Sequence, residues 1–233
     1  MIRDNTGRFK QRPHYSPQEL DAESETLVTE FLIRRKGAAR FPLSTDDLTS
    51  LLEKHVEDLD LYSDLRQLGT DVEGVTLFSQ HGKPSVRISA ALCESKRENR
   101  LRTTLSHEFG HVVFHNQLFE RSRDAQLFDD AEPSAPMQAC REGSILNAGQ
   151  ADWMEWQAGH VSGAILMPAT YLRSLIADRF PNYVRGNLGF SPALVESMIE
   201  EVKNAFNVSA EAARVRLIRL QVAKDKPSSP TLF

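Results

Sequence analysis

Residues 107–111 read His-Glu-Phe-Gly-His, an HExxH sequence. Two histidines at i and i+4 of an α-helix lie about 40° apart around the axis and one turn apart in height. Both imidazoles can then reach one metal ion. Glu108 sits on the same side, about 100° from His107, where a carboxylate can take a proton from water activated by that ion. The chemistry of such a set is metal-assisted hydrolysis. His107 and His111 are the expected ligands, Zn2+ the expected ion at one per chain, and Glu108 the expected general base.

A catalytic zinc takes three protein ligands and keeps one position open. A carboxylate on a later helix suits the third place, and Glu155 is the best candidate. Gly159, Ser162 and Gly163 fall within about 80° of it around the helix, a small-residue face able to approach the His107–His111 helix closely. His115 is two turns beyond His107, about 12 Å along the axis, and reads as a satisfied structural histidine. His160 is about 140° from Glu155, so the two cannot share an ion; it reads as a substrate contact or as surface. Asp152 reads as a helix N-cap, or as a carboxylate that orients a ligand histidine. Cys140 reads as a reduced thiol, with a thiolate on zinc as the alternative. For oxyanion stabilisation the sequence offers only Tyr171, His160 and Arg173 as guesses.

The elements that must position these residues follow from patterning. Ser16-Pro17-Gln18-Glu19 opens a helix with a capping box, and apolar residues recur at helical spacing until Gly37. A second helix is expected from Ser44 to about His55. Leu59–Tyr62, Val75–Phe78 and Val86–Ser89 read as strands, the last two as a hairpin around Gly82. The HExxH helix is expected from Lys96 to Asn116, free of proline. Its residues Leu101, Leu105, Phe109, Val112 and Val113 fall opposite His107 and make a stripe to bury. Gly110 costs stability in a helix interior, which implies a close neighbour there. The Glu155 helix runs from Asp152 to Met167 and ends at Pro168. Further helices are expected at 169–178, 192–205 and 209–221. Residues 1–15 read as a mobile basic arm, 120–150 as an acidic, proline-bearing loop or lid, and 225–233 as a loose tail. The metal-binding domain is then 16–178, followed by a helical C-terminal subdomain at 179–224.

The chain has 233 residues, 40% of them hydrophobic, enough for a sizeable core. A net charge of −4 argues against a polybasic nucleic-acid or membrane-surface protein. No apolar run approaches the ~18–20 residues of a membrane span, and Met1–Pro13 holds no apolar export segment. Two cysteines cannot make a disulfide framework or a four-cysteine zinc site. The expected location is the cytoplasm.

Three stretches resemble the ImmA/IrrE family of zinc metallo-endopeptidases. They are Val72-Glu73-Gly74-Val75-Thr76-Leu77-Phe78 with Lys83-Pro84; Asn99 to His111 with His115; and Asp152-Trp153-Met154-Glu155-Trp156-Gln157-Ala158 running to Leu166-Met167-Pro168. The resemblance spans about residues 16–220. It implies zinc on His107, His111 and Glu155, with Glu108 as general base. It implies a protein substrate, a helix-turn-helix repressor encoded nearby, whose cleavage relieves repression of mobile-element, toxin–antitoxin or stress-response genes. The interval between His111 and Glu155 is long for the family, and Gly159 and His160 stand where bulkier residues are expected. The fold class is α+β: a mostly helical, zincin-like minimal metalloprotease with a small sheet beside the HExxH helix. The edge of the 75–89 hairpin is expected to align an extended peptide by strand addition. The competing reading is a DNA-binding or protein-binding regulator with a zinc site and no proteolysis. Phe206–Leu217 resembles the second half of a helix-turn-helix, made basic by Arg214, Arg216 and Arg219.

Overall fold

The computed structural model describes residues 1–94, 97–122, 136–141, 152–184 and 191–223. Serine caps start the helices that frame the core. Helix α1 (Pro17–Lys36) opens with the expected Ser16–Glu19 capping box and closes at Gly37, whose φ of 77° only glycine adopts without strain. Helix α2 (Thr45–Glu53) opens in the same way on Ser44 and Asp47.

The N-terminal residues read as a mobile arm are instead a two-stranded hairpin, β1 (Ile2–Arg3) against β2 (Gln11–Arg12). Asp4 closes its turn. The buried carboxylate accepts from the Thr6 and Phe9 N–H groups at 3.0 and 2.9 Å. Phe9 packs edge-on against Phe119 and Trp153, so one aromatic side chain holds the hairpin on the body.

Strands β3 (Asp58–Ser63), β4 (Val72–Leu77), β5 (Ser85–Ser89) and β6 (Met137–Arg141) form a sheet in the order β3-β5-β4-β6. β4 and β5 are the expected hairpin, and β3 joins β5 in parallel. Strand β6 lies inside the segment read as a loop or lid. It pairs antiparallel with β4, with Gly74 opposite Cys140 and Thr76 opposite Gln138. Both strands of the hairpin are therefore already paired on both sides, and among the described residues the outer strand next to the site is β6. The rest of the 120–150 segment and the 225–233 tail lie outside the described residues, apart from the end of the helix that follows.

Helix α3 (Glu98–Ser122) carries the HExxH residues and runs past the expected Asn116. Its stripe Leu101, Leu105, Phe109 and Val112 is buried. Helix α4 (Trp153–Leu166) crosses it at close range. A methyl group on Gly110 would lie 3.0 Å from Ala158 Cα, which explains the glycine. The small-residue face of α4 divides its contacts. Ser162 bonds Ser106 of α3 at 2.8 Å, whereas Gly163 faces Arg216, and the Gly159 carbonyl accepts from Arg219 at 3.0 Å.

Helices α5 (Ala169–Arg179), α6 (Pro181–Val184), α7 (Pro192–Phe206) and α8 (Ala210–Arg219) complete the chain. The C-terminal helices do not build a core of their own. Val195, Met198, Val202, Phe206 and Leu217 belong to the same apolar cluster as Leu20, Leu32 and Leu105. Buried Arg102 reinforces this union: from α3 it donates to the carbonyls of Leu43, Phe206 and Asn207. The basic residues of the helix-turn-helix reading face inward or pair locally. Arg216 bonds Met167 O at 3.0 Å and Asp21 at 2.7 Å, Arg219 bonds the Gly159 carbonyl, and Arg214 meets Glu196. Arg216 is thus buried away from solvent, 1% exposed. No helix among the described residues is long and apolar enough to cross a membrane.

Candidate metal centre

Helical spacing places His107 and His111 on one face of α3, with their Nε2 atoms 3.1 Å apart. Helix α4 brings the third group. Asp152 is its N-cap, accepting the Glu155 N–H at 3.3 Å, and this fixes Glu155 in the first turn. Glu155 Oε1 is 3.1 Å from His111 Nε2, and Oε2 is 3.3 Å from His107 Nε2. Strand β6 adds a donor: the Gln138 amide bonds Glu155 Oε1 at 2.8 Å, and Arg8 of the N-terminal hairpin holds the Gln138 carbonyl at 2.8 Å.

Glu108 faces the sheet. Thr76 of β4 donates to its Oε2 at 2.5 Å. Glu108 Oε1 lies so close to Gly74 that a Cβ there would be 2.5 Å from it. Burial pushes the Glu108 carboxyl up to about 7, against the opposing pull of His107 and the Thr76 hydroxyl. A carboxyl so tuned can exchange a proton near neutral pH.

The donor set fits a metal ion. Tetrahedral ligands about 2.0–2.1 Å from one zinc stand about 3.3 Å from each other; the three observed separations are 3.1, 3.1 and 3.3 Å. Among the described residues, Glu108 Oε1 and Glu155 Oε2 are buried without a hydrogen-bond partner, a cost of about 1–3 kcal/mol each that a nearby cation offsets.

The remaining candidates separate clearly. His115 lies behind His111, with their Nδ1 atoms 2.9 Å apart, and its Nε2 is 3.0 Å from Gln157 Oε1. His160 is not on the surface; it is buried and bonds Asp21 at 2.8 Å. The Tyr171 ring lies tilted against Phe41, and Arg173 donates to the Leu220 carbonyl. Cys140 is brought to the site, its Sγ within 4.8 Å of donor atoms of His107 and Glu108. Burial, then the carboxylates of Glu108 and Glu155, push its thiol well above the ordinary value. Sequence reasoning missed Gly74 as a packing position and missed Thr76, Gln138 and Gln157 as partners. All four act across the fold, and only the richness in β-formers around Thr76 marked that strand.

An α+β fold built around paired helical histidines and a facing carboxylate is compatible with one metal ion and with metallopeptidase-type chemistry. Residues 65–218 match the family described as the IrrE N-terminal-like domain (Peptidase_M78), more than half of the chain. The chain belongs to this peptidase family, the ImmA/IrrE family. No curated protein matches it.

Proposed function

We propose that the chain is a zinc-dependent endopeptidase that hydrolyses a peptide bond in a protein substrate. The observation that carries this reading is the meeting of His107, His111 and Glu155 within 3.3 Å, with Glu108 fastened beside them. Two imidazoles and a carboxylate favour zinc over harder ions and leave room for an open position. When bound, the ion supplies Lewis acidity to the scissile carbonyl and to the attacking water. Glu108 takes the proton from that water and passes it to the leaving amine. Thr76 holds the carboxylate in place for both transfers. An extended peptide adds to the outer strand β6, which puts its backbone beside Gln138 and so beside Glu155.

The substrate class follows from the family resemblance: a helix-turn-helix repressor, encoded nearby, whose cleavage relieves repression. The test is incubation of the purified, zinc-loaded protein with the neighbouring gene's product, with fragments read by mass spectrometry. The wild type cleaves. Glu108→Gln keeps one zinc per chain and produces no fragments; unchanged cleavage removes Glu108 as the base. His107→Ala loses the zinc, and a variant that retains it at full affinity removes His107 from the ligand set.

A further inference from the structure

His107, His111 and His115 occupy successive turns of α3, and each imidazole touches the next. The outermost, His115, is fully buried. Its ring stands nearly perpendicular to that of Trp153, with centroids 5.5 Å apart, and its Nε2 meets the carbonyl end of the Gln157 amide at 3.0 Å. Its other nitrogen, Nδ1, faces His111 Nδ1 at 2.9 Å.

We propose that Gln157, acting through His115, is a positioning residue that sets the tautomer of His111 able to bind a metal. The inference rests on the reading of His111 as a ligand. A neutral imidazole carries one N–H and one lone pair. The Gln157 carbonyl oxygen only accepts, so His115 carries its proton on Nε2. His115 Nδ1 is then a lone pair, and the proton between the two Nδ1 atoms belongs to His111. That leaves the His111 Nε2 lone pair directed at the point shared with His107 Nε2 and Glu155 Oε1, each 3.1 Å away. Reversing the amide of Gln157 reverses every step: its NH2 donates to His115 Nε2, His115 donates from Nδ1, and His111 carries its proton on Nε2, where it blocks coordination. One glutamine on α4, two residues after Glu155, therefore selects the state of a histidine on α3. Partners behind metal-binding histidines act in this way generally, fixing ring orientation and tautomer.

The tautomers can be read directly from imidazole 15N shifts in the intact, metal-free protein, and zinc affinity from chelator competition. The expected result is Nε2–H on His115 and Nδ1–H on His111. Gln157→Leu, which has no acceptor, should bind zinc on the order of 10–100-fold more weakly. Gln157→Glu, which keeps an acceptor, should restore affinity to the wild-type level or better. An Nδ1–H tautomer on His115 in the wild type overturns the proposal, whatever the variants do. So does undiminished zinc affinity in a folded Gln157→Leu protein, or equal weakening in Gln157→Leu and Gln157→Glu. If the wild type shows the expected tautomers but takes up no zinc, the relay stands and the metal-site reading falls.

Discussion

Glu108 is confined from two directions. The Thr76 hydroxyl grips Oε2, and the bare backbone of Gly74 leaves space for Oε1. Among the described residues neither is hydrogen-bonded to the three candidate ligands, so Glu108 can be perturbed while their own contacts are kept. In Gly74→Ala the new methyl would stand 2.5 Å from Glu108 Oε1 and 2.9 Å from Thr104 Cγ2, and the carboxylate must swing away. A positioned general base contributes roughly 10²–10⁴-fold. The expected outcome is a fall in kcat/KM of at least about 10-fold with zinc content unchanged, measured by peptide cleavage alongside metal analysis. Equal loss of zinc and activity would show that Gly74 serves the metal site as a whole. The difference in visibility between these residues has a physical origin. His107, Glu108 and His111 share one helix, where spacing alone encodes geometry. Thr76 meets Glu108 across 32 positions and Gln138 meets Glu155 across 17, contacts for which local spacing carries no information.

At the scale of elements, the site depends on how closely α3 and α4 approach. Gly110 and Ala158 set that distance, with Ser106 and Ser162 bonded alongside. Alanine at 110 gains about 1 kcal/mol of helix propensity, but its methyl meets backbone at 3.0 Å, and overpacking of this kind costs about 1–3 kcal/mol. Gly110→Ala is therefore expected to lower Tm or leave it little changed, while zinc binding weakens because Glu155 rides on the displaced helix. Chelator competition and thermal melting separate the two effects; zinc affinity equal to the wild type would show that α4 accommodates the methyl without moving Glu155. Both helices are legible in the sequence, since a proline-free stripe marks α3, and Asp152 and Pro168 bracket α4. Strand β6 is not. It lies in an acidic stretch with two prolines, and its pairing comes from β4 rather than from a pattern of its own. The N-terminal hairpin escapes for a related reason, being held by Phe9 and the buried Asp4 inside an otherwise polar run.

Across the whole molecule, one ionic cluster ties together the helices that surround the site. Asp21 of α1 accepts from His160 of α4 at 2.8 Å and from Arg216 of α8 at 2.7 Å, with Arg216 only 1% exposed. Burial alone would raise the Asp21 carboxyl, but the His160 hydrogen bond and the Arg216 guanidinium outweigh it and leave it below the ordinary value. Burial holds His160 below its ordinary value, with Asp21 pulling the other way. Both shifts have the same consequence. The unfolded chain binds protons that the folded one refuses, first at His160 below about pH 6.5 and then at Asp21 below about pH 4. Stability from this cluster is complete above about pH 6.5 and is lost in two stages as the pH falls. Asp21→Asn removes the lower stage and leaves the Arg216 charge buried without its counterion, a loss of about 3–5 kcal/mol at neutral pH. Urea titrations at a series of pH values should therefore find the variant much weaker than the wild type at pH 7. The gap should narrow as the pH falls below about 4, where Asp21 of the unfolded chain takes up a proton that the folded one refuses. A gap that stays constant from pH 7 to pH 3 would mean that Asp21 contributes shape and hydrogen bonding to this junction, and not charge.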